Sequence, residues 1–124
     1  TLEDIEHALS HFQQERFDVV LGVSEANRNP WFNMVVRTHS SAVSLVAGFE
    51  SEQIARRQDG PAVFDITTVV YVTTLGFVIN SQGLFDGTVG SVVIPRERAI
   101  DIDTEFDLEI ADYLFRKRLG LGNG

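Results

Sequence analysis

The sequence predicts an α+β domain: an N-terminal helix, a mostly antiparallel sheet of about five strands, and a C-terminal amphipathic helix packed on that sheet. Three observations carry this. Apolar residues recur at helical spacing at both ends of the chain, and the middle is rich in β-branched and aromatic residues. The β-rich middle is also punctuated by Asn, Gly and Pro where strands should turn.

Leu2, Ile5, Ala8, Leu9 and Phe12 share one face, Thr1 is placed to cap, and Glu3 and Asp4 suit the positive end of a helix dipole. This predicts a helix over 2–15. Phe17 to Val23 reads as a strand, Glu25 to Pro30 as a loop, and Trp31 to Arg37 as a second strand. Ser41 to Phe49 alternates loosely and predicts a third strand, with a helix as the other option; Glu50 to Arg57 reads as a short helix stopped by Asp59-Gly60-Pro61.

The strongest β signal runs from Ala62 to Ile79, with a bulge or bend expected at Gly76. Asn80-Ser81-Gln82-Gly83 is a turn signal, and Leu84 to Ile94 can return beside the preceding run, so a long hairpin is expected over about 62–94. The last helix should span Thr104 to Leu119, acids at its start, Arg116, Lys117 and Arg118 in its last turn and Gly120 beyond. The chain thus reads as one domain over 1–119 with a flexible, Gly-rich tail over 120–124.

Composition narrows the function. Hydrophobic residues make up 44% and charged residues 23%, an ordinary globular balance. There is no cysteine, which excludes disulfides, thiolate catalysis and Cys-ligated metals. A net charge of −8 with ten Lys and Arg argues against nucleic-acid binding, which needs clustered cations. No apolar run is long enough for a transmembrane segment. Thr1 can be the residue left after removal of an initiator Met, so a cytoplasmic or virion- and assembly-associated protein is expected.

Several constellations could carry chemistry. Asp101, Asp103, Glu105, Asp107 and Glu109 form an alternating acidic strip. Hard oxygens suit Ca²⁺ or Mg²⁺, but a calcium loop counted from Asp101 would need Gly and Glu where Phe106 and Asp112 stand. A solvated face with an acid-rich helix start is the simpler account. His7 and His11 are spaced for zinc, with Glu3 one turn earlier, yet they lack the metalloprotease pattern. No metal site and no cofactor are therefore expected. Asp65, inside the β-rich run, is the candidate for a buried catalytic carboxylate; His39, beside Ser40 and Ser41, is a weaker one. Gly83, Gly87 and Gly90 do not form a phosphate loop.

The stretch Gln82-Gly83-Leu84-Phe85-Asp86-Gly87, followed by Val92-Val93-Ile94, resembles the end of SYLF lipid-binding domains, which carry a G-L-[FY]-x-G stretch before a short β segment. The likeness is confined to that stretch, and no site residue is carried over. In length, acidity and element order the chain also resembles type III secretion chaperones and small phage or secretion-machine assembly proteins.

With no catalytic residue identified, the expected function is a non-enzymatic protein-interaction or assembly module, chaperone-like, binding a partner chain or forming a homo-oligomer. Its interaction surface would be Phe106, Ile110, Tyr113, Leu114, Arg116 and Lys117 on the last helix, Tyr113 at the outer edge and Phe115 in the core. One alternative is a small-ligand or lipid-binding domain with a pocket of Phe64, Tyr71, Phe77 and Phe85; another is a small enzyme using the Asp65 carboxylate.

Overall fold

A computed structural model describes residues 1–37, 41–47 and 61–121. The architecture is α+β, as the sequence predicts. Two compact units are present: residues 1–24 with 66–124, and residues 25–65.

In the first unit, α1 spans Leu2–Gln14. The Thr1 hydroxyl donates to Asp4 Oδ2 at 2.7 Å, joining the capping position to the first turn. Strand β1 (Val19–Glu25) follows and is buried from Val19 to Ser24. It is the middle strand of a three-stranded sheet, whose other members are β4 (Phe64–Thr73) and β5 (Val89–Val93), in the order β4-β1-β5. β1 and β5 run parallel, from Val19 opposite Val89 to Val23 opposite Val93. The Thr73 hydroxyl donates to Asp18 O and the Thr67 hydroxyl to Gly22 O, so β4 descends as β1 ascends and that pair is antiparallel. The sheet is therefore mixed rather than mostly antiparallel.

Gly22 permits this close pairing: a Cβ there would sit 2.8 Å from Thr67 Oγ1 and 3.0 Å from Ile94. The core gathers around it, with Ala8, Val20, Val70 and Ile94 in one buried cluster flanked by Phe12 and Phe17.

The expected hairpin over 62–94 does not form, because β4 and β5 lie on opposite edges of β1. The cause lies after Thr73. Thr74 accepts a hydrogen bond from Phe77 N at 3.1 Å and caps a short helix, α2 (Leu75–Asn80), in place of the strand expected to run on to Ile79. A 3₁₀ turn over Leu84–Asp86 then leads the chain into β5. A period-two pattern shows that a segment is a strand but not which neighbour it takes.

A second 3₁₀ turn, Arg96–Arg98, precedes α3 (Glu105–Arg118). This helix forms as expected but buries no residue, so it is not the sheet-packed element anticipated. Phe115, expected in the core, is 52% exposed, with the Arg118 guanidinium 5.3 Å above its ring.

In the second unit, β2 (Val35–Arg37) and β3 (Val43–Leu45) form a two-stranded antiparallel sheet, Val36 opposite Ser44. Both are shorter than the sequence suggests. Asn29 explains β2: its side chain accepts from Trp31 N at 2.9 Å while its amide donates to Asn33 Oδ1, an Asx-type turn that occupies the expected start of the strand. The helix expected over 50–57, the end of the strand expected over 41–49, the His39–Ser40 pair and residues 122–124 of the tail lie outside the described residues.

Candidate functional site

The acidic strip divides into two kinds of carboxylate. Asp107 is structural. Its Oδ2 accepts from Thr104 N at 2.9 Å, Thr104 Oγ1 at 2.6 Å and Asp103 N at 3.3 Å, while Asp107 N donates to Thr104 Oγ1 at 3.2 Å. This reciprocal cap starts α3. The Thr104 hydroxyl, and then the two amides, hold the Asp107 carboxyl below its ordinary range. Glu105 and Glu109 belong to the helix itself, where acids near the N-terminus offset the dipole.

Asp101 and Asp103 stand ahead of the helix, and both are exposed. Asp101 Oδ1 accepts a long, 3.4 Å hydrogen bond from the Thr68 hydroxyl on β4. No described group donates to the Asp103 carboxylate. Two acids of the strip are thus left facing solvent, spaced two residues apart beside the sheet. Among the described residues, no three His, Cys, Asp or Glu side chains converge as a complete metal cage.

Just upstream, Arg98 reaches a buried carboxylate. Asp4 on α1, 3% exposed, receives Arg98 Nη2 at 2.7 Å on one oxygen and Arg98 Nε at 3.0 Å on the other. The Arg98 hydrogen bonds hold the Asp4 carboxyl well below the usual carboxylate range against the opposing effect of burial; Asp4 in turn raises the Arg98 guanidinium. The buried carboxylate is therefore Asp4, while Asp65, the sequence candidate, is exposed. Asp4 was legible only as a helix-start acid, and nothing in a linear sequence pairs it with Arg98.

Concavities open among the described residues of the first unit. One, of about 710 Å³, is lined by Glu97, Arg98, Ile100, Ala111, Leu114, Phe115, Lys117 and Arg118. Another, of about 490 Å³, is lined by Asp18, Phe77, Asn80, Ser81, Gln82, Asp86 and Gly87. Its Asp18 carboxylate accepts from Thr88 N at 2.7 Å and Thr88 Oγ1 at 2.9 Å, the amide first and the hydroxyl second lowering its pKa.

The expected interaction residues are spread along α3. Leu114 and Lys117 line the larger concavity; Phe106 and Tyr113 are exposed, Ile110 is half-buried, and Arg116 pairs with Asp112 at 2.6 Å. Of the expected pocket aromatics, Phe77 lines the smaller concavity without Tyr71 or Phe85, which are exposed, and Phe64 is exposed in the second unit. His7 and His11 lie with Ser10, Gln14, Val92 and Val93 around a shallow depression, and His11 stacks obliquely on Phe17 at 5.3 Å. No helix among the described residues is long and apolar enough to cross a membrane.

Comparison with known proteins gives a direction. No family model matches the chain. It is 25% identical over 115 residues to post-translational flagellin modification protein B of Campylobacter coli, covering 93% of this chain and 47% of that protein. It is 28% identical over 89 residues to CMP-N,N'-diacetyllegionaminic acid synthase of Campylobacter jejuni, covering 72% of this chain and 36% of that protein. The chain spans less than half the length of either curated relative. These relatives, one named as a flagellin modification protein and the other as a synthase of a CMP-linked acidic sugar, overturn the expectation of a non-enzymatic, chaperone-like or assembly module.

Proposed function

We infer that this chain is part of an enzyme that joins a cytidine monophosphate group to an acidic sugar. The observation that carries the reading is the similarity to a CMP-sugar synthase across 72% of the chain. The exposed pair Asp101 and Asp103 supports it on chemical grounds.

Transfer of CMP from cytidine triphosphate to a sugar hydroxyl forms a new sugar O–P bond and breaks the bond between the α-phosphate and the leaving pyrophosphate. The hydroxyl proton passes to a base. Nucleotide triphosphates arrive with Mg²⁺, which keeps several waters and takes one or two carboxylates from the protein. Asp101 and Asp103 fit that donor set: hard oxygens, exposed, and not consumed by the α3 cap. This departs from the expectation of a metal-free strip, because an ion carried on phosphates needs fewer protein ligands than a calcium loop supplies. Bound there, the ion would neutralise charge building on the phosphates. The Thr68 hydroxyl reaches Asp101 over 3.4 Å, and Asp107 holds the backbone amides of Asp103 and Thr104.

The test uses the longest natural polypeptide that contains this segment. It is incubated with cytidine triphosphate, Mg²⁺ and a panel of acidic sugars, and products are read by mass spectrometry. A CMP–sugar conjugate with stoichiometric pyrophosphate is expected. Absence of a conjugate across the panel, with no binding of cytidine triphosphate, rejects the reading.

A further inference from the structure

We propose that Asp4 and Arg98 are positioning residues for the Asp101–Asp103 carboxylate pair; the inference rests on the metal-holding reading of that pair.

The argument is one of anchorage. Residues 99–103 form a short irregular segment between the 3₁₀ turn and α3. Irregular backbone has no ladder of its own, so its geometry is set by what holds its ends. The downstream end is held by Asp107, which accepts from both Asp103 N and Thr104 N. The upstream end leaves the sheet at Ile94, 1% exposed, whose amide donates to Val23 O at 2.7 Å. It then turns through Pro95, whose carbonyl accepts from Arg98 N at 2.9 Å, and Ala99 N donates to Arg96 O. Arg98 ties that turn to the buried face of α1 through its two-pronged grip on Asp4.

Two parallel N–H···O bonds fix direction as well as distance, which a single cationic contact does not. Asp101 follows Arg98 by three residues, and its own contact, the 3.4 Å bond from Thr68, is long. Metal-holding carboxylates depend on such outer supports, and loss of one commonly costs about ten- to a hundredfold in metal affinity. Asp4 takes the Nε and Nη2 edge of Arg98, and that fork serves alignment.

Mn²⁺ alone, titrated by water-proton relaxation, is the probe. Asp4→Asn and Arg98→Lys are compared with wild type, with Arg116→Lys as reference, since Arg116 makes an exposed pair with Asp112. Melting curves are recorded on each. The expected result is a Kd for Mn²⁺ raised about tenfold or more in Asp4→Asn and Arg98→Lys while both remain folded, with Arg116→Lys unchanged. Should Asp4→Asn fail to fold, Arg98→Lys decides, because it keeps the charge and loses only the fork. Wild-type Mn²⁺ affinity in folded Arg98→Lys overturns the proposal. An Asp101→Asn/Asp103→Asn variant separates the two readings. If it leaves Mn²⁺ binding intact, the metal-holding reading fails and the proposal with it; if it abolishes binding while the Arg98→Lys variant binds normally, only the positioning role fails.

Discussion

Arg98 clasps Asp4 through both oxygens of its carboxylate, at 2.7 and 3.0 Å, across ninety-four residues of sequence. The bond joins the first turn of α1 to the turn that leads into the acidic segment. Because Asp4 is 3% exposed, its charge is held by Arg98, together with the Thr1 ammonium and hydroxyl, rather than by water.

Removing one member should therefore cost more than a surface pair would. Breaking a fully buried pair costs about 3–5 kcal/mol. Arg98 keeps 24% of its side chain exposed, so some of its charge is solvated in the folded state. Asp4→Ala is expected to destabilise the protein by about 2–3 kcal/mol, below the fully buried range. Asp112→Ala, which breaks an exposed pair on α3, should cost under about 1 kcal/mol. Urea denaturation of the two variants checks the contrast.

The same bond sets an acid limit. The folded-state pKa of Asp4 is depressed, so its contribution to stability is fully present above the unfolded value of about 4 and is lost as pH falls below it. Wild-type protein should lose stability progressively between about pH 5 and pH 2, and Asp4→Asn should show a shallower decline. Denaturation midpoints measured across that range test the sign; a parallel decline in both proteins would assign acid sensitivity elsewhere.

The start of α3 offers a separate test. Thr104 accepts from Asp107 N while its own amide and hydroxyl donate to the Asp107 carboxylate. Thr104→Ala should cost about 1 kcal/mol, the usual price of a lost N-cap. Thr104→Ser, which keeps the hydroxyl, should cost less. Thermal melting followed by circular dichroism reads the difference.

The ends of the chain were the most legible parts. At α1 and α3, caps, dipole-matched charges and helical spacing agree, and each helix forms close to its expected bounds. Local agreement did not reveal packing: the apolar stripe on α3 predicts a core position for Phe115, yet that ring is exposed. The β-rich run failed at Thr74, where a hydroxyl cap outweighed β-propensity. The candidate site was visible as an acidic strip. Its division into one capping acid and two solvent-facing acids depends on where Thr104 and Thr68 direct their hydroxyls, which spacing alone does not give.

The most direct measurement of the central claim is CMP–sugar formation by wild type and by Asp101→Asn/Asp103→Asn, in the longest natural polypeptide that carries the segment, with melting temperature recorded for both. Neither carboxylate belongs to the buried core, so the fold should survive the double change. The account predicts that wild type forms the conjugate and releases pyrophosphate, and that the double variant melts normally but is slower by about a hundredfold or more, as loss of charge stabilisation on a reacting group commonly costs. Wild-type turnover in the folded double variant would contradict it.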